Sequence, residues 1–422
     1  MRDHIVKVEE LPNNIDFNTT LEINSNHVNS FTHGFFKYPC KFIPHIPRWA
    51  ILKYTKEKDL VLDPFAGSGT SLVEAVLFNR NAVGIDFDKL SQLLCKTKTV
   101  NLSEKQIKYI KEIKKDIFSN EIKKTLFRPD LNNIDHWFPE NNINNLLKLK
   151  EKINKIYIKS KDEEIYNFLL VCFAAIIKKC SYADDTSPKP YVSKRIKKTP
   201  SSVTETYIKT LDSYLKSVND YKEKQIGNAL IIAEDARNIN THKYDGKVSL
   251  AITSPPYINA FDYVRSLRLE NAWLGFYGDS TIMNIKKKQI GTEIIPHNIY
   301  KNKINKTNTK KLDTILNEIY KKDKRRAFVV LKFFEDMDKN LMVIRRLLKD
   351  GSHYVIVVGD SKIRGIEVPT HEILIDIARK NGFKLENLFS YIIKNRYLRI
   401  PRAGRGGLIK KDWVIDLVKE NG

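Results

Sequence analysis

Between positions 59 and 86 the hydrophobic pattern changes rhythm three times. A short apolar run, LVLD, gives way to the glycine-bearing PFAGSGT, then to SLVEAVLFN with helical period, then to a second apolar run, AVGID. Short apolar runs bounded by turn residues read as buried strands and the longer periodic stretch as a helix, so this is one β-loop-α-β unit. Further apolar runs of the same kind lie at 230–233, 249–253, 353–358 and 413–418, with helical stretches between them. That alternation predicts an α/β chain with a largely parallel sheet. Two stretches break the rhythm. From 99 to 224 the chain is lysine-rich, helical in period and free of glycine, which predicts a helical insertion. Inside it, 166–177 is apolar nearly all round and reads as a core helix. From 284 to 311 there are many lysines, the single acid Glu293 and no apolar periodicity, which predicts a mobile loop. The expected division is therefore 1–100 and 227–422 as two parts of one α/β domain, with 101–226 inserted.

Charge narrows the partners. The chain has 422 residues, with 73 Lys and Arg against 50 Asp and Glu, a net +23. Such a balance sets up a field that attracts a polyanion, and nucleic acid is the expected partner. Abundant Asn, Ile and Lys also fit AT-rich coding, which by itself raises lysine. Cys40, Cys95, Cys172 and Cys180 are too dispersed for a CxxC knuckle and too few for a disulfide scaffold, so reduced and mostly buried thiols are expected. No apolar run approaches the roughly 20 residues of a membrane span, and the first residues are charged rather than signal-like. A cytoplasmic protein with no membrane partner is the expectation. His33, His45 and His353 have no metal-ligand spacing, and no metal is expected.

Two constellations carry chemistry. The first is Asp63, Pro64, Phe65, Ala66, Gly67, Ser68, Gly69 and Thr70, after a strand and before a helix. Glycines there let backbone amides approach a ligand, and a helix N-terminus suits a carboxylate or phosphate. The loop lacks the GK[ST] ending of a triphosphate loop, and its Asp-Pro-Phe opening is foreign to the GxGxxG dinucleotide fingerprint. Asp86 ends the next strand, about 20 residues on, where a carboxylate can bind both ribose hydroxyls. A nucleoside-bearing cofactor without a pyrophosphate fits. The second constellation, Thr253, Ser254, Pro255, Pro256 and Tyr257, follows a strand. Its prolines stiffen the turn and remove two donors, leaving carbonyl acceptors suited to an amino group. Ser254 adds an acceptor, and Tyr257 a ring on which a flipped base can stack.

Together these motifs resemble the amino-methyltransferases of restriction-modification systems, whose cofactor loop reads DPFAGSGT and whose catalytic loop reads (S/D)PPY. A third element, HGFFKYPCKFIP at 33–44, is similar to the family's HG-x-x-x-YP-x-KF-x-P segment, which closes over the methionine part of the cofactor. The resemblance implies a class I methyltransferase, a Rossmann-like sheet with helices on both faces, and S-adenosylmethionine as cofactor. It implies that Asp63, Phe65, Gly67 and Gly69, with Pro64 and Thr70, hold the methionine end together with Tyr38, Pro39, Lys41 and Phe42. Asp86 would hold the ribose and Asp235 would sit near the adenine. Ser254, Pro255, Pro256 and Tyr257 would hold the target base. The Ser form resembles the cytosine-N4 branch. Adenine N6 is the nearest alternative; an RNA guanine-N2 methyltransferase and a non-catalytic DNA-binding accessory are more distant ones. The cofactor loop precedes the catalytic loop, whereas many SPPY enzymes have the reverse order, so the place of the target-recognition region does not carry over.

Cytosine-C5 chemistry needs a cysteine nucleophile, but the Pro39-Cys40 pair falls in the upstream cofactor segment and reads as packing. DNA contacts are expected from Lys194, Arg195 and Lys197, from the lysines of 286–311, and from Arg396, Arg399, Arg402 and Arg405 between two strands. Double-stranded DNA is the implied substrate, the prokaryotic nucleoid the implied location, and a restriction endonuclease acting on the same site the implied companion.

Overall fold

A computed structural model describes residues 5–24, 28–118, 127–195, 197–224, 227–258, 262–301, 303–394 and 409–421. Eleven strands lie among them: β1 (Ile5–Val8), β2 (Thr20–Ile23), β3 (Leu60–Asp63), β4 (Asn81–Ile85), β5 (Asn228–Ile232), β6 (Val248–Thr253), β7 (Leu348–Gly359), β8 (Ser361–Ile363), β9 (Ile366–Val368), β10 (Phe383–Ile392) and β11 (Lys411–Lys419). Nine form one sheet in the order β1-β2-β10-β11-β7-β6-β3-β4-β5, and β8 pairs with β9 in a separate hairpin. Every pairing in the large sheet is parallel except those of β11, which runs antiparallel to β10 and to β7. This is the Rossmann-like α/β sheet expected from the sequence. The short edge strands β1 and β2 extend it.

The strands alternate between two buried faces, as a period of two requires. Val61, Leu250, Val355 and Val414 pack against the helices His45–Tyr54 and Thr70–Leu77. Their neighbours Leu62, Ala251, Ile356 and Ile415 face the opposite way, onto Phe333, Met337 and Leu341 of the helix Lys324–Leu347. The sheet is thus covered on both sides. Direction reverses at β3, whose neighbours are β4 on one side and β6 on the other. At such a switch point the loops leaving the carboxyl ends of two strands diverge and open a crevice, the usual ligand site of this architecture.

Between Glu104 and Lys222 the regular elements among the described residues are helices, the long ones at Glu140–Ser160, Glu163–Ile177 and Val203–Lys222, with irregular chain at 181–202. Their core includes Phe168, Phe173 and Tyr207, and it also takes in Phe35, Phe36 and Trp273 from outside that stretch. The helical layer is therefore packed onto the segment before β3 and the one after β6. No helix among the described residues is long and apolar enough to cross a membrane.

The stretch 284–311, expected as a mobile loop, is partly helical among its described residues. Helices occupy Ile282–Lys288 and His297–Tyr300, and Ile290 and Ile295 are buried. The lone acid is a tie: Glu293 pairs with Arg326 at 2.9 Å, while its carbonyl accepts from Arg325 at 2.6 Å. Lys286 is held by Asp262 at 2.6 Å. Tertiary contacts that a single periodicity does not register fix this segment.

Candidate functional site

The loop after β3 is shaped by one carboxylate with three donors. Asp63, 2% exposed, takes the Ser71 hydroxyl at 2.6 Å, the Thr253 hydroxyl at 2.6 Å and the Phe65 amide at 3.1 Å. It thus joins the end of β3, the helix Thr70–Leu77 and the end of β6. Burial still raises its pKa to about 6. Gly67 and Gly69 have φ of +50° and +79°, a region that favours glycine. A Cβ at Gly69 would also lie 3.1 Å from the Cys95 sulfur. The Gly67 amide donates to Asp86 Oδ2 at 2.9 Å, which ties the loop to the end of β4.

Asp86 also accepts from the Asp88 amide at 2.9 Å. Burial, with the neighbouring Asp88 carboxylate, pushes its pKa up to about 7. The segment before the first helix closes one wall: the Tyr38 hydroxyl bonds to Ser91 at 3.0 Å and its ring lies against Gly67. Lys41 donates to the His33 carbonyl at 2.8 Å, and burial lowers its pKa to about 8. Behind them a buried His33-Glu74-Arg48 network, with contacts of 2.7 and 3.0 Å, fixes this segment to the helix after the loop.

These parts surround a solvent-open cavity. Of the residues expected to bind cofactor, Tyr38, Lys41, Phe42, Pro64, Phe65, Gly67, Thr70, Asp86 and Asp235 line it. Asp63 and Gly69 do not; they are buried beneath the loop and set its shape, and Pro39 is buried as well. Asp63 and Gly69, expected to hold the ligand's end, thus stand outside this lining. Asp235 faces the cavity with its carboxylate already engaged by Arg237, whose Nε lies 2.9 Å away.

Ser254 and Pro256 line the same cavity, whereas Pro255 is buried and Tyr257 stands beside it. Several lining residues carry no motif that would mark them in the sequence: Asp88, Glu234, Tyr263 and Lys288 among them. Tyr263 sits at the start of a four-residue helix, Tyr263–Ser266, and its ring centroid is 6.4 Å from that of Tyr38. An aromatic ring in a helix-period stretch gives no signal that separates it from a core residue. Cys40 is exposed, while Cys95, Cys172 and Cys180 are buried, and all four are free.

Among the expected DNA contacts, Lys194, Arg195 and Lys197 are exposed. Arg396, Arg399, Arg402 and Arg405 lie outside the described residues. Among those described, no group of three or more His, Cys, Asp or Glu side chains is placed to hold a metal ion.

Comparison with known proteins agrees with this geometry. Residues 6–94 match the N6/N4 methyltransferase family model, described as DNA methylase. The chain is similar to the type II methyltransferase M.MvaI of Kocuria varians, 26% identical over 413 residues that cover 92% of this chain and 89% of that one. It is also similar to M.BsoBI of Geobacillus stearothermophilus, 24% identical over 321 residues, 69% of this chain and 61% of that one. A tRNA (guanine(10)-N2)-dimethyltransferase of Methanocaldococcus jannaschii is 32% identical over 138 residues, 28% of this chain and 36% of that one.

Proposed function

We propose, for a chain that belongs to the S-adenosylmethionine-dependent DNA amino-methyltransferases of the N4/N6 family, that its product is N4-methylcytosine in double-stranded DNA. The observation that carries this reading is the shared cavity: the acceptor corner at Ser254 and Pro256 opens into the space lined by Gly67 and Asp86. A methyl donor on the glycine loop and an amino group at the corner would therefore meet. Similarity to type II methyltransferases over most of the chain, against 28% for the tRNA enzyme, supports DNA over RNA as substrate.

The residues present fit the cofactor. A sulfonium supplies an already activated methyl group, so alignment for in-line displacement is the main task left to the protein. Asp86 would bind the ribose, the glycine loop would lie along the methionine end, and Tyr38, Phe42 and Phe65 would wall off the apolar part of the cavity. Cytosine N4 is a poor nucleophile because its lone pair is delocalised into the ring. Ser254 Oγ and the Pro255 carbonyl accept its two N–H groups and favour pyramidalisation as positive charge develops. A serine at this position rather than an aspartate supports cytosine over adenine. No covalent intermediate with the protein is needed for transfer to an amino nitrogen. A restriction endonuclease acting on the same site is the proposed companion.

Binding of the cofactor should depend on pH through Asp86. Its carboxylate form accepts from the ribose hydroxyls, so affinity is full above the folded-state pKa of about 7 and falls as pH drops through it. Calorimetry at pH 8 and pH 6 should show S-adenosylmethionine bound about 10-fold more weakly at the lower pH, with a flat profile for Asp86→Asn. A flat wild-type profile would remove Asp86 from the ribose site.

For the DNA face, replacing Lys194, Arg195 and Lys197 with Ala should weaken duplex binding and reduce its salt dependence, by up to about 0.9 in log-log slope for each phosphate no longer neutralised. An unchanged slope would make the patch a solvated surface. The substrate class is tested by methyl transfer to duplex DNA and to transfer RNA side by side. Transfer to DNA is expected, and exclusive transfer to RNA would overturn the proposal.

A further inference from the structure

The sheet register brings together, beside the acceptor corner, residues from three distant parts of the chain. Across the strands Tyr391 of β10 stands opposite Asp412 of β11, and Asp412 stands opposite Gly359 of β7. Directly opposed residues share a face of the sheet, so the three form one row. Asp412 is 7% exposed and Tyr391 3%. Asp412 Oδ2 accepts the Tyr391 hydroxyl at 3.0 Å, and Oδ1 accepts the Tyr257 hydroxyl at 2.8 Å. Gly359 makes the second bond possible. A Cβ there would lie 3.0 Å from Cε2 of the Tyr257 ring and 3.1 Å from Asp412 Oδ1. Tyr257 is therefore held at both ends, by the double-proline turn at its backbone and by a carboxylate at its hydroxyl. A buried carboxylate between two phenols is costly to maintain, as burial shows by pushing the Asp412 pKa up to about 6. A ring needed only for packing would be served by phenylalanine beside an apolar partner.

We propose that Asp412 is a positioning residue that fixes the ring of Tyr257 in the plane on which the flipped target base stacks. The inference rests on the reading of Tyr257 as the stacking platform. Tyr391 orients the carboxylate from the far side, and Gly359 leaves the slot that the ring occupies. Stacking depends on the plane of the ring, so a ring freed at its tip offers the flipped base a less favourable surface and the flipped state is less populated.

Four variants test this: Asp412→Ala, Asp412→Asn, Tyr257→Phe and the double variant Tyr257→Phe/Asp412→Ala. Single-turnover methyl transfer is measured at saturating cofactor on a paired target and on one whose target cytosine is mismatched, with S-adenosylmethionine affinity as the check on folding. Asp412→Ala and Tyr257→Phe should each slow transfer to the paired target about 10-fold and to the mismatched target less. The double variant should be no slower than the slower single, because the bond between Tyr257 and Asp412 is broken in both singles. Asp412→Asn should recover most of the rate, since its amide can accept from one tyrosine and donate to the other. Losses that multiply to about 100-fold in the double variant, or equal losses on the two targets, would overturn the inference. If Asp412→Ala loses cofactor binding, Tyr257→Phe decides alone: it removes a single oxygen, and a wild-type rate would overturn the inference. Where Tyr257→Ala discriminates between the two targets but these variants do not, only the positioning role fails. Where Tyr257→Ala does not discriminate, the stacking reading itself fails.

Discussion

Tyr257→Ala should methylate a fully paired target about 5- to 150-fold more slowly than the wild type, and part of that loss should return when the target cytosine is mismatched. In a paired duplex the enzyme must offset unstacking and unpairing, a cost of a few kcal/mol that shrinks when the base is already loose. Stacking on an aromatic ring is worth about 1 to 3 kcal/mol per base, which converts to that range of rates at roughly 1.4 kcal/mol per factor of ten. The ring is available for this in a defined orientation, since its hydroxyl is held by Asp412 and its edge lies against Gly359. Ser254→Ala should behave differently. Its acceptor acts on the amino nitrogen after flipping, so the loss should be similar on both targets. Single-turnover rates on the two duplexes separate the cases, and an equal loss for Tyr257→Ala would mean that its ring does not stabilise the flipped base.

Asp63→Ala should cost more stability than any other single change at the site, about 2 to 4 kcal/mol, and should abolish cofactor binding under conditions where the protein is still folded. The carboxylate serves three donors, and two of them, the hydroxyls of Ser71 and Thr253, belong to fully buried residues. Removing the acceptor leaves these groups without a partner, at about 1 to 3 kcal/mol for each one that finds no substitute. It also unlinks the ends of β3 and β6, the two strands whose loops form opposite walls of the cavity. Asp63→Asn keeps the shape and one acceptor, and a hydroxyl can rotate to accept from its amide. The asparagine variant should therefore lose less than half as much stability and keep measurable cofactor affinity. Denaturant midpoints with calorimetry check both, and an alanine variant that binds cofactor normally would show that the three-way tie does not set the loop.

Much of this site was legible because its chemistry is local. The glycine loop, the acid ending the next strand and the SPPY corner each occupy a few consecutive residues, and the strands before them are short apolar runs. What escaped depends on register or on long-range packing. Asp412 reads as one more charge between Lys411 and Trp413, and only the pairing with Tyr391 and Gly359 brings it to Tyr257, 155 positions away. Asp63 was visible as part of the cofactor motif, yet its task as a tie needed the position of Thr253. The edge strands β1 and β2 are four residues each, too short for their alternation to stand out from a charged terminus. The order seen from 282 to 300 comes from Ile290, Ile295 and Glu293 meeting partners far along the chain, which no local period records.

The corner at Ser254 is proposed to direct a methyl group onto an exocyclic amino nitrogen of a DNA base. The most direct measurement is mass spectrometry of the nucleosides released from duplex DNA after incubation with the purified protein and S-adenosylmethionine, with Ser254→Ala in parallel. N4-methylcytosine is expected as the product of the wild type, with much less of it from the variant. N6-methyladenine would keep the amino-transfer chemistry and change only the base, whereas 5-methylcytosine or unmodified DNA would overturn the role given to Ser254.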